Sequence, residues 1–145
     1  MKAFIQAQFG YCPLVWMCHS RSLNNRINKI HERSLRLVYN DHSGTLSELL
    51  IKDGSFTVHE KNVQILCIEV FKVVHKISPE IMNEVFPLKK NLKYNSKNIF
   101  ETTNVRTVFC GTETVSFLGP KIWNIIHNDI KQAATLQEFK RKIRN

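Results

Sequence analysis

Apolar positions along the chain recur mostly at helical spacing, and turn residues punctuate them at short intervals. Ala3 to Gln8 reads as the tail of a helix interrupted at Gly10, and Pro13 suits the first turn of a short helix, Leu14 to His19. Ser20 or Ser22 can cap a long helix running to about Tyr39, with Leu23, Ile27, Ile30, Leu37 and Val38 as its apolar side. Asp41-His-Ser-Gly44 is a turn. Thr45-Leu-Ser-Glu48 then has the capping-box pattern, in which threonine oxygen and glutamate satisfy reciprocal backbone donors, and the short helix it opens stops at Gly54. Thr57-Val-His-Glu60 repeats the pattern. The helix it opens carries Val63, Leu66, Cys67, Val70, Phe71, Val74 and Ile77 on one side, and Ile65, Ile68 and Val73 widen that stripe. So broad an apolar face predicts a helix central to the core. Ser78-Pro79 starts another helix, which ends near Phe86-Pro87.

From Lys89 the pattern changes. "KKNLKYNSKN" has no periodicity and reads as a mobile basic loop. Thr103 to Phe109 alternates in strand fashion, Gly111 turns the chain, and Thr114 to Phe117 reads as a second short strand. Gly119-Pro120 breaks that strand, with Pro120 starting a helix that holds Ile122, Trp123 and Ile126. Thr135-Leu-Gln-Glu138 is a third capping box, with Leu136, Phe139 and Ile143 facing inward on the last helix. The sum is a mainly α fold: a helical bundle with one small β-hairpin near residues 103–117. It divides into a helical region at 1–87, a basic flexible loop at 88–102, and hairpin plus C-terminal helices at 103–145 on the same core.

At 145 residues and 43% apolar content the chain fits one domain with a real core. No stretch approaches the ~18 consecutive apolar residues of a membrane span, and no signal-peptide cleavage pattern follows the N-terminus. The four cysteines (Cys12, Cys18, Cys67 and Cys110) are too scattered for a disulfide framework. The expectation is an intracellular protein, nuclear or cytoplasmic, with reduced thiols and no membrane partner. The net charge of +9 concentrates in residues 20–40, 88–106 and 131–145, which hold fifteen of the twenty-one basic residues and three of the twelve acidic ones. Such clustering points to a polyanion partner or else serves solubility.

Catalytic chemistry is hard to find. Cys12 and Cys18 are six apart and His19 adjoins Cys18, so the paired close spacings of a zinc site are missing. There is no C-x-x-C and no phosphate-cradling glycine loop. Asp41, Asp53 and Asp129 occupy turn-like or helix-end contexts unsuited to paired-carboxylate metal chemistry. The long helix offers something else. Arg26, Lys29, Arg33 and Arg36 recur at steps of three, four and three and form one narrow stripe, with Asn25 and Asn28 flanking it. Four cations in such a line can follow a nucleic-acid backbone, the asparagines donating to phosphate or sugar, or can be a solvated helix face. The two further basic segments favour nucleic acid, and Lys89, Lys90 and Lys93 of the basic loop join the candidate contacts.

These blocks also carry a resemblance. "FGYCPLVWMCHSRSLNNRINKIHERSLRLVYND", "SELLIKDGSFTVHEKNVQILCIEVFKVVHKISPEIMNEVF" and "VRTVFCGTETVSFLGPKIWNII" occur in this order across about Ala3 to Arg144. In that order they resemble the segment after the palm in reverse transcriptases of jockey-like non-LTR retrotransposons. That family copies element RNA into DNA. Its endonuclease, fingers and palm, with the aspartates that bind Mg, would lie upstream of anything in this chain, so no catalytic residue carries over and no cofactor is implied here. The resemblance implies a thumb-like region that binds an RNA–DNA or DNA template–primer duplex through Arg26, Lys29, Arg33 and Arg36, with the palm and fingers as its other partner. A free-standing or domesticated DNA/RNA-binding module and an inert truncated remnant are the rival readings.

Overall fold

The computed structural model describes residues 7–18, 20–89, 99–101 and 114–144. They form a mainly α structure: α1 Pro13–Trp16, α2 Arg21–Tyr39, α3 Leu46–Asp53, α4 Val58–Val74, α5 Ile81–Val85, α6 Val115–Ile125, α7 Asn128–Lys131 and α8 Leu136–Arg144, with residues 7–10 also helical. The chain divides into two compact units, Met1–Val63 and Gln64–Asn145, and the division falls inside α4.

The first unit is organised by its caps. Ser20 precedes α2, its Oγ accepting from the Leu23 N–H at 3.5 Å, and Asn40 ends the helix in the left-handed region at φ 49°. Asparagine tolerates that conformation better than most residues. Asp41 then accepts from the N–H groups of Ser43 and Gly44 at 3.3 and 3.0 Å, which closes the turn. Thr45 and Glu48 complete the expected capping box of α3, and Gly54 terminates that helix at φ 62°. α2 and α3 pack through Leu35, Leu49 and Leu50, with Tyr39 and Leu46 at the edge. The Tyr39 hydroxyl donates to Asp53 Oδ1 at 2.6 Å, and Lys52 sits 5.3 Å from the Tyr39 ring centroid.

The second unit is built on aromatic rings. Phe71 of α4 stacks on Phe139 of α8 at 4.2 Å between centroids, with Trp123 of α6 6.4 and 6.2 Å from the two rings. Leu66, Cys67, Val70 and Val73 share the buried face of α4, as its broad apolar stripe predicts. At the start of α4, which belongs to the first unit, the Thr57–Glu60 box is formed in full, Thr57 N–H donating to Glu60 Oε2 and Glu60 N–H to Thr57 Oγ1. At α8 the Glu138 N–H donates to Thr135 Oγ1, but the carboxylate reaches one residue further back, to Ala134 N–H. An antiparallel bridge, Leu88 to Phe100, is the β pairing present among the described residues.

Three expectations need correction. Thr114 to Phe117 is not a strand: α6 begins at Val115 and runs unbroken through Gly119 and Pro120. Glycine belongs there because a Cβ would lie 2.3 Å from Phe86 Cε1, so it marks a close helix contact rather than a break. The first expected strand, Thr103 to Phe109, lies outside the described residues. Secondly, the buried side of α2 is His31 and Leu35, while Leu23, Ile30, Leu37 and Val38 are exposed. Thirdly, Ser78 does not cap α5: its Oγ is buried without a hydrogen-bond partner, and the helix starts at Ile81, preceded by a turn from Pro79.

Candidate nucleic-acid interface

The inward rotation of α2 decides what its cations do. Counting about 100° per residue, Arg26, Lys29 and Arg33 centre roughly 170° from the His31–Leu35 side. The basic stripe therefore points away from the packed face more fully than the Leu/Ile pattern suggests. All three are exposed, and none forms an ion pair or hydrogen bond with a described residue. Like charges three and four residues apart repel on a helix by ~0.2–0.5 kcal/mol per pair, so the stripe is a standing electrostatic cost that the described residues leave uncompensated.

Arg36 differs. Its guanidinium meets Glu32 Oε1 at 2.6 Å and donates through Nε and Nη2 to the Gly44 carbonyl at 3.3 and 3.1 Å. Arg36 thus ties the last turn of α2 to the loop entering α3, and occupies the acid nearest the stripe. The flanking asparagines also separate. Asn25 is exposed, whereas Asn28 is half-buried with Oδ1 buried and lacking a donor, so it does not line the outer face. Lys89 is half-buried, and its backbone N–H donates to Ile99 O at 2.9 Å beside the Leu88–Phe100 bridge. Lys90 and Lys93 lie outside the described residues.

On the opposite, inward side of α2 sits His31, only 3% exposed, 6.1 Å from the Phe9 ring and with Nδ1 lacking a partner. Burial holds its pKa below the ordinary 6.5; the positive charge of Lys61 adds to this and Asp53 opposes it. The imidazole fills the α2 core face, where burial disfavours its charged form. Counting it as polar is what displaced the expected face of the helix.

The cysteines offer no converging chemistry among the described residues. Cys12 is exposed at φ 42° before α1, Cys18 is half-buried, and Cys67 is buried, its thiol pushed up to about 11 by desolvation. His19 and Cys110 are outside the described residues. Among those described, no group of three or more His, Cys, Asp or Glu side chains is placed to hold a metal ion, and no helix is long and apolar enough to cross a membrane.

Two surface features escaped the sequence reading. One is the exposed Leu23, Ile30 and Leu37 edge of α2, visible only once the inward face is known. The other is a second exposed cation group on α8, Lys140, Arg141 and Arg144, whose exposure the charge count alone does not give. No family model matches the sequence, and comparison with curated proteins and with solved structures finds no match to either chain or fold.

Proposed function

We propose that the chain binds nucleic-acid duplexes through the phosphate backbone, with Arg26, Lys29 and Arg33 of α2 as the contacts. The carrying observation is that stripe: three exposed cations on one outward face, none neutralised by a described side chain, and the nearby Glu32 already engaged by Arg36. Phosphates at the stripe relieve the repulsion and release counterions, the main sequence-independent source of affinity for DNA and RNA. Exposed Asn25 can add a hydrogen bond to phosphate or sugar. Arg36 serves as the positioning residue that fixes the end of the helix.

With the resemblance to jockey-like reverse transcriptases, the reading becomes the thumb-like region that holds an RNA–DNA or DNA template–primer duplex. In that reading the chain acts inside the cell, beside palm and finger regions that bear the Mg-binding aspartates, and has no polymerase activity by itself. The test is fluorescence anisotropy with RNA–DNA hybrid and DNA duplexes of several sequences. Wild-type protein should bind them with similar affinity, and R26Q/K29Q/R33Q should lose most of that affinity while keeping its helical circular dichroism. Unchanged binding by the folded triple variant overturns the assignment to α2.

A further inference from the structure

Beside the basic stripe α2 exposes a second, apolar one. Leu23, Ile30 and Leu37 are 42, 52 and 65% exposed and seven residues apart, with Val38 at 39% alongside. In a heptad these three occupy equivalent seam positions, and Ile27 and Ser34 fall at the alternate seam positions between them. From Leu23 to Leu37 the seam covers fourteen helical steps, about 21 Å, the length of two heptads of a facing helix. Arg26 and Arg33 run along one flank of this seam, while His31 on the other flank is turned into the core.

That charge pattern selects the occupant. A second copy of α2 packed antiparallel would set Arg26 and Arg33 against the same arginines. Packed parallel, it would set them against His31 and Val38, neither an anion. Neither arrangement compensates the charge. We infer that this edge of α2 docks an amphipathic helix from a partner protein, one with a Leu/Ile seam flanked by glutamate or aspartate opposite Arg26 and Arg33. The inference goes beyond the nucleic-acid reading: its apolar contacts lie on the neighbouring edge of the helix, and it shares Arg26 and Arg33 with that reading.

The probe is a fluorescein-labelled 21-residue helical peptide with leucine at its seam positions and glutamate at the flanks, titrated with the full chain. A control peptide carries lysine at the flanks. The glutamate peptide should bind saturably, and the lysine peptide should bind about tenfold more weakly or not at all. L23Q/I30Q/L37Q should weaken the glutamate peptide by about tenfold or more. I30Q alone provides a milder variant if the triple one folds poorly by circular dichroism. Duplex affinity should stay unchanged in both variants, which separates this inference from the proposed function. Equal binding of the two peptides overturns it, as does unaltered peptide binding by the variants. So does a parallel loss of duplex binding, or sedimentation showing that the chain self-associates through this edge.

Discussion

Gly119 shows how much a single missing side chain can decide. In the middle of α6, glycine costs helix stability relative to alanine by roughly 0.5–1 kcal/mol. Here it permits the approach of Phe86, fully buried, and of Val70, whose Cγ2 would be 3.1 Å from an added Cβ. Gly119→Ala should therefore lose stability despite the helix gain, by about 1–3 kcal/mol, the usual cost of overpacking. Chemical denaturation measures it, and a variant as stable as wild type would show that the Phe86 ring gives way freely. His31 makes a second residue-scale prediction. Its native pKa lies below 6.5, so on acidification the unfolded chain takes up a proton that the folded chain resists. Stability from this residue is complete above pH ~6.5 and is lost as pH falls toward the lowered native value. Wild type should lose more stability than His31→Gln between pH 7.5 and 5. Superimposable profiles would remove His31 from the account.

At the scale of elements, the two arginines at the end of α2 should separate by readout. Arg36 holds Glu32 and the Gly44 carbonyl, so Arg36→Gln should lower stability by about 1 kcal/mol, the worth of a few partly exposed polar contacts. Arg33 is exposed and makes no hydrogen bond or ion pair with a described residue, so Arg33→Gln should leave stability within ~0.5 kcal/mol and weaken duplex binding instead. Thermal melts beside anisotropy titrations distinguish them, and a stability loss at Arg33 matching that at Arg36 would contradict this division. Which elements form was largely legible, because caps are local chemistry. Ser20, Thr45–Glu48 and Thr57–Glu60 mark helix starts through side chains within three residues of the backbone groups they satisfy. Where a helix faces was not legible from the same signals. His31 is polar by composition and buried in fact, while Leu23, Ile30 and Leu37 are apolar and exposed, so the pattern rotated the expected face. Gly119-Pro120 misled for a related reason: the dipeptide marks a break only when its glycine is needed for the backbone. Here the need comes from Phe86, thirty-three positions earlier in the chain. At the candidate site, the stripe itself was readable from spacing, but the capture of Arg36 by Gly44 depends on a turn whose geometry the spacing does not contain.

For the whole molecule the question is which of the excess positive charge acts on a partner. Cations in the last turn of a helix have a structural reason to be there, since they face the negative end of its dipole. Arg141, Lys142 and Arg144 occupy that turn of α8, and Lys142 bonds Glu138 at 2.8 Å. The Glu138 carboxyl is held below its usual range first by that bond, then by the Ala134 N–H, with the Arg141 charge adding to it. Arg26, Lys29 and Arg33 enjoy neither compensation. The expectation is a narrow footprint on α2 despite a net charge of +9. Three phosphate contacts give a slope of about −2.7 in log K against log salt, so raising salt from about 50 to 200 mM should weaken binding roughly 40-fold. R26Q/K29Q/R33Q should bring the slope close to zero, whereas K140Q/R141Q/R144Q should leave it near the wild-type value. A much steeper wild-type slope, or one equally reduced by the α8 variant, would mean that the polyanion is held by charge spread over the surface and not by one helix.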